Sequence, residues 1–190
     1  MRALHGALLQ RGGRGLLLYG PGGIGKSTMA LRLVEAGWEL LADDSPIFYL
    51  DGDRPVGVAS LQVPMVTRRT LELLPCCSRY LREGGDINGK RPLDIPRSSR
   101  AVEVAHLVRL LPESDQPASL EPRPTSHTLD ELLRESMLLF RKVPPQPELD
   151  EASSFVFSLL TSLVARARSW ALHYDHHRGE EALGLLERLA

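Results

Sequence analysis

Gly15-Leu16-Leu17-Leu18-Tyr19-Gly20-Pro21-Gly22-Gly23-Ile24-Gly25-Lys26-Ser27-Thr28 sets the reading of the whole chain. An apolar run of strand length ends in a glycine-rich turn, and the turn opens into Met29-Ala-Leu31-Arg-Leu33-Val34, whose apolar spacing is helical. Gly20 to Ser27 fits G-x-x-x-x-G-K-[ST] in the context the pattern requires, after a strand and before a helix. Such a loop wraps backbone N–H groups around phosphate oxygens, which a Cβ would obstruct. The helix N-terminus adds partial positive charge. In that arrangement Lys26 faces β- and γ-phosphates as a point charge, and the Ser27 hydroxyl faces a magnesium ion. Gly20, Pro21, Gly22, Gly23, Ile24, Gly25, Lys26, Ser27 and Thr28 are therefore the expected nucleotide-binding residues.

Upstream, residues 2 to 9 form another apolar run, separated from the first by Gln10-Arg-Gly12-Gly13-Arg14, a hairpin signal. A centre between Gly12 and Gly13 sets His5 opposite Gly20, close enough for its imidazole to donate to charge developing on a phosphate. Downstream, the helix over Lys26 to Ala36 ends at Gly37, and Trp38 to Ala42 reads as a strand. The helix climbs about 16 Å at ~1.5 Å per residue, and the strand returns a similar distance. The matching lengths predict a crossover with the two strands parallel and adjacent. Asp43 and Asp44 then emerge on the edge that carries the loop. In an extended segment their side chains diverge, one toward a metal and one toward an acceptor hydroxyl. The same letters, Asp-Asp-Ser-Pro, also make a good solvated turn.

Later segments read more coarsely. Phe48 to Val66 predicts a hairpin around Asp51-Gly52-Asp53, Arg68 to Leu74 a helical turn or two, and Pro92 to Ile95 an edge strand. Val102 to Leu111 reads as a buried strand, Leu129 to Phe140 as a helix, and Val143 to Pro147 as a break. Phe155 to Ala167, Trp170 to Tyr174 and Glu180 to Leu189 read as helix, strand and helix. The alternation predicts an α/β fold, a mixed sheet with flanking helices, in a single domain over residues 1–190.

With 43% hydrophobic and 25% charged residues the 190-residue chain has ordinary globular usage. A net charge of −1 gives no footprint for duplex nucleic acid. Arg11 and Arg14 interrupt the N-terminal apolar stretch, so no membrane span is expected. The two cysteines, Cys76 and Cys77, are adjacent and make a poor disulfide framework, which suits a reducing cytoplasm. His173-Tyr-Asp175-His176-His177 has a composition able to hold a transition metal if a turn gathers its side chains. The apolar stripe of Phe155, Val156, Leu159, Leu160 and Leu163 reads as core, with any exposed remnant available for homo-oligomer contacts.

Leu4-His5-Gly6, the loop Tyr19 to Ser27, and Leu40-Leu-Ala-Asp43-Asp44 together resemble the catalytic domain of HPr kinase/phosphorylase, in the group whose fold resembles phosphoenolpyruvate carboxykinase. The likeness runs through roughly the first 45 residues. It implies ATP and Mg²⁺ at the loop, with His5, Lys26 and the aspartate pair in catalysis. Asp44 would be the base on a serine hydroxyl, and Ser27 and Asp43 would face the metal. Where the family carries a metal-binding acid, the nearest match is Leu61-Gln62-Val63-Pro64, with the neutral Gln62 in its place. No counterpart of the family's regulatory domain or phosphorolysis loop is recognisable, so kinase activity alone is expected. Gly89 to Asp94 and Val104 to Leu111 are similar to short HPr-kinase-like proteins of peptide-modification cassettes. That likeness implies a small peptide or carrier protein as substrate, with Lys90 and Arg91 steering an anionic group.

Overall fold

The structure, a computed structural model, describes residues 2–112, 117–138 and 147–190. Its centre is a mixed nine-stranded sheet flanked by helices. The hairpin strands β2 (Gly6–Arg11) and β3 (Arg14–Tyr19) pair antiparallel with Gly6 opposite Tyr19, the register that sets His5 against Gly20. Their residues alternate between two cores: Ala7, Leu9, Leu16 and Leu18 face one, Leu8, Leu17 and Tyr19 the other. Both faces are covered, which is why the strands read as unbroken apolar runs. On the first face pack α1 (Lys26–Glu35) and α5 (Gly179–Glu187), tied by the Arg32–Glu180 ion pair. On the second lie α3 (Thr125–Leu138) and α4 (Pro147–Arg166), through Leu132, Leu159, Leu160 and Leu163.

Helix α1 stops where Gly37, at φ 89°, turns left-handed. Gly37 N–H donates to the Val34 carbonyl and Trp38 N–H to that of Leu33, the paired bonds of a Schellman ending. Strand β4 (Glu39–Ala42) follows, and it departs from the expected crossover. It runs parallel to β3 but does not touch it. Both are antiparallel to β2, which lies between them. The hairpin had already filled the edge of β3, so the returning strand adds to the far side of β2.

The other side of β3 takes β9 (Val102–Pro112) in parallel, matching the expected buried strand. Beyond β9 the sheet forks. Near its start β9 pairs with β6 (Arg54–Val58), which leads to β5 (Ile47–Asp51) and β1 (Arg2–Ala3). Further along it pairs in parallel with β11 (Arg168–Tyr174), whose outer partner β10 (Ser119–Pro122) had no signal in the sequence.

Three other boundaries differ from expectation. The run from residue 2 to 9 breaks at Leu4 and His5, because Leu4 N–H donates to Pro46 and Gly6 N–H to Asp44 instead of continuing one ladder. The hairpin around Gly52 closes at Val58. Met65 and Val66 belong instead to β7 (Met65–Thr67), which forms a separate two-stranded sheet with β8 (Lys90–Pro92) ahead of the expected Pro92 to Ile95. Helix α4 starts well before Phe155, while the expected end of α3 at Phe140 and most of the Val143 to Pro147 break lie outside the described residues. Thr67 caps α2 (Arg68–Leu73) by accepting from Thr70 N–H. No described helix is long and apolar enough to cross a membrane.

Candidate active site

Three strand ends converge on one edge of the sheet. Tyr19 at the end of β3 runs into the glycine loop, Ala42 at the end of β4 into Asp43 and Asp44, and His5 immediately precedes β2. Because β2 runs opposite to its two neighbours, its beginning lies between their ends. His5 thereby stands between the loop and the acids.

Lys26 is 6% exposed, and its Nζ meets three acceptors: the Gly20 carbonyl at 2.7 Å, the Pro21 carbonyl at 2.9 Å and His5 Nε2 at 2.8 Å. An ammonium has three protons and all are engaged. With Nε2 accepting, the His5 proton resides on Nδ1, which lies 3.1 Å from Asp44 Oδ1. The result is a chain Lys26, His5, Asp44. Burial pulls the Lys26 pKa below its ordinary value, while Glu135, Asp44 and Asp43 oppose that pull.

Asp43 makes a different contact. Ser27 Oγ donates to Asp43 Oδ1 at 3.0 Å, and the carboxyl is only 7% exposed. Burial raises its pKa to about 6, with the Ser27 bond holding it down and the neighbouring Asp44 charge pushing it further up. The two aspartates are not arranged as an extended pair. Asp44 sits at φ 71°, and Ser45 N–H closes onto the Asp43 carbonyl at 2.9 Å, so the backbone turns tightly. The turn brings both carboxyls into one cleft, where an extended strand would have sent them to opposite faces. A cavity of about 280 Å³ is lined by Asp43, Asp44, Ser27, Gln62 and Lys90. A second, of about 240 Å³, adjoins it along the loop and reaches His5, Gly22, Gly23 and Thr28. Gln62 is held at the first cavity by its own carbonyl, which accepts from Arg97 at 2.6 Å. Thr28 keeps its place beside the loop, but its hydroxyl is shared with Thr70 at 3.0 Å, joining α1 to α2.

The loop conformation rests on residues that the sequence did not single out for this role. Gly25 is left-handed at φ 99°, and an added Cβ would stand 2.7 Å from His176 Cε1 and 3.0 Å from the Tyr174 hydroxyl. That hydroxyl donates to the Ile24 carbonyl at 3.4 Å, and its ring meets His176 edge-on at 5.2 Å. On the other flank an added Cβ at Gly20 would stand 2.9 Å from Arg109 Nη1. Arg109 lies over Tyr19 and reaches Glu131 at 3.3 Å and Glu135 at 3.4 Å. Burial raises the Glu135 carboxyl, opposed by Arg109, Lys26 and His5. The i,i+4 pair Glu131 and Glu135 was a visible signal of one helix face, but nothing local says that the face meets Arg109.

The histidine-rich segment 173–177 does not gather a ligand set. Among the described residues, only Glu35, Cys76 and Cys77 bring three candidate ligand atoms within 4.8 Å of one another. There Arg79 already bonds Glu35 at 2.9 Å, and burial pushes the Cys77 thiol up to about 12, away from the thiolate a metal needs.

Residues 1–73 match the HPr serine kinase C-terminal domain family. This chain is 40% identical over 72 residues to HPr kinase/phosphorylase of Latilactobacillus sakei, covering 38% of this chain and 22% of that protein. It is 43% identical over 74 residues to HPr kinase/phosphorylase of an Exiguobacterium species, again covering 38% and 22%. The match therefore spans about a fifth of the length of these curated relatives. A solved structure of the Hpr(Ser) kinase/phosphatase from Coxiella burnetii matches over 100% of this chain and 88% of that one, at 16% identity and a TM-score of 0.49. The matched segment contains His5, the whole glycine loop, both aspartates and Gln62. Over residues 1–73 the chain is therefore similar to the HPr serine kinase C-terminal domain.

Proposed function

We propose that the protein is a phosphotransferase that moves the γ-phosphoryl group of ATP, with Mg²⁺, to a serine hydroxyl on a small peptide or carrier protein. The observation that carries this reading is the meeting of two arrangements in one cleft: Ser27 bonded to Asp43, and Asp44 bonded through His5 to Lys26.

The residues fit both ligands. Gly22 and Gly23 face open space, with no atom within 4 Å of an added Cβ, so the loop leaves its concave side to phosphate oxygens. The Ser27 hydroxyl, the Asp43 carboxyl and the Gln62 amide offer oxygen donors, the set that Mg²⁺ takes. A buried carboxyl whose largest charge interaction is with another acid favours a cation beside it. Ser27 and Asp43 would hold that cation and Gln62 would complete the side. When bound, Mg²⁺ would offset charge on the phosphates. Lys26 exchanges its carbonyl partners for phosphate oxygens, and the loop amides orient the chain of phosphates. Asp44, the more exposed acid, accepts the proton of the acceptor hydroxyl. His5 aims Asp44 by donating from Nδ1. Lys90 opens onto both cavities and favours an acceptor that carries negative charge near its hydroxyl.

Gln62 favours a second reading, because a neutral amide stands where the resembling family carries an acid. In that reading the cleft binds nucleotide and recognises a peptide without turnover, or passes phosphate only to water as a switch. The test is incubation of the protein with γ-labelled ATP, Mg²⁺ and serine-containing peptides. Label in the peptide supports the kinase; free phosphate alone supports the switch, and unconverted bound nucleotide the recognition module.

A further inference from the structure

At the other end of the parallel strands lies a third cavity, of about 350 Å³. Arg14 begins β3 and Arg168 begins β11, so this cavity is on the order of 20 Å from the loop that follows Tyr19, at ~3.3 Å per residue. Arg188, just past α5, is the third arginine that lines it. All three side chains are exposed, and among the described residues none is in an ion pair with an acid. The floor between them is apolar, formed by Trp170, Leu120, Leu185 and Leu189.

We infer that this cavity is a binding site for a small organic acid, with a carboxylate or phosphate head held by Arg14, Arg168 and Arg188 and an apolar body lying on Trp170 and the leucines. Unpaired arginines at the rim of a solvated surface would be ordinary. Three that line one open cavity with an apolar floor combine planar, bidentate donors with area that water wets poorly, and a bare inorganic ion uses only half of that. The volume falls in the range of small-molecule sites. His106 lies in the wall but is not itself a ligand. Trp170 Nε1 donates to its Nδ1 at 3.1 Å, and its ring also engages the Leu189 backbone, so both nitrogens are occupied. Burial, with Arg168 and Arg14 adding, holds its pKa below the ordinary value, so it adds no competing charge of its own. The hydrogen bond also fixes the face that Trp170 presents to the cavity.

Trp170 supplies the readout, since the other tryptophan, Trp38, is 3% exposed in the core. Phenyl phosphate, octanoate and inorganic phosphate are titrated into the full chain, following calorimetric heat and tryptophan emission. The titrations are repeated in Lys26→Met, which disables the glycine loop, and in Arg14→Gln and Arg168→Gln. Phenyl phosphate or octanoate should saturate, shift the emission, and bind at least about tenfold more tightly than inorganic phosphate. Each arginine variant should weaken that binding by about tenfold, while Lys26→Met leaves it unchanged. Whichever organic acid binds more tightly identifies the head group. The inference is overturned if neither organic acid saturates, if inorganic phosphate binds as well as both, or if binding follows Lys26 instead of the arginines.

Discussion

His5 Nδ1 lies 3.1 Å from Asp44 Oδ1, and the contact exists because Asp44 leaves β4 in a left-handed turn. A left-handed aspartate costs of the order of 1 kcal/mol relative to an extended one. The surrounding structure therefore holds it there, through the Gly6 N–H that donates to the Asp44 carbonyl at 3.2 Å. In the proposed reaction this turn separates the two acids by role. Asp44→Asn should reduce phosphoryl transfer about 100-fold or more while nucleotide affinity in Mg²⁺ stays within a few-fold. Asp43→Asn should do the reverse at low magnesium, weakening nucleotide binding first. Calorimetry alongside single-turnover transfer distinguishes them. Equal loss of binding in both variants would refute the division.

Replacing His5 removes the link between Lys26 and Asp44 but leaves Lys26 its two carbonyls. His5→Gln is expected to fold normally and bind nucleotide, with kcat lowered about 100-fold. An unchanged kcat would remove His5 from the mechanism.

The buried Asp43 also gives a stability signature. Its folded pKa, about 6, is above the ordinary aspartate value. The folded state thus holds the proton more tightly, and stability is greatest at low pH with respect to this group. It declines as pH rises from about 4 through 6, by at most about 3 kcal/mol, and is flat above. Asp43→Asn should therefore be more stable than the native protein at pH 8 and equal to it near pH 4, by thermal unfolding at both. A constant difference at both pH values would contradict the assignment. Uptake of Mg²⁺ should strengthen across the same interval as the carboxyl ionises.

Two glycines separate folding from binding. Gly25→Ala introduces a Cβ at φ 99° and within 2.7 Å of His176, so a loss of about 1–3 kcal/mol is expected. A Cβ added at Gly22 meets nothing within 4 Å and the residue lacks a positive φ, so the unfolding temperature of Gly22→Val should barely move. If phosphates occupy the concave side of the loop, that variant still loses nucleotide affinity by tenfold or more, which dye-displacement or calorimetry measures. Native affinity in Gly22→Val would place the phosphates elsewhere.

The glycine loop, the hairpin register and the acids after β4 were legible because each is set by neighbours in the chain. Gly12 and Gly13 pin the turn, Gly37 ends the helix, and the distance from Ser27 to Asp43 is fixed by one helix and one strand. The placing of β4 beside β2 was not legible, since crossover length gives direction but leaves the free edge undecided. Between strand end and turn, the letters Asp-Asp-Ser-Pro decide nothing, and the Gly6 amide, donating to the Asp44 carbonyl, chooses the turn. Arg109, Glu135, Tyr174 and His176 reach the loop through packing between distant segments, which no spacing in the chain encodes.

The engagement of all three Lys26 protons has a consequence for selectivity. An anion approaching the loop competes with the protein's own main chain, which already occupies the lysine as a surrogate ligand. A lone phosphate or sulfate would gain one strong contact and forfeit several, and in the proposed function would be poorly retained. A polyphosphate that also recruits the amides and a cation at Ser27 exceeds that threshold. In the proposed function the loop would thereby screen incoming anions by how many oxygens they present together.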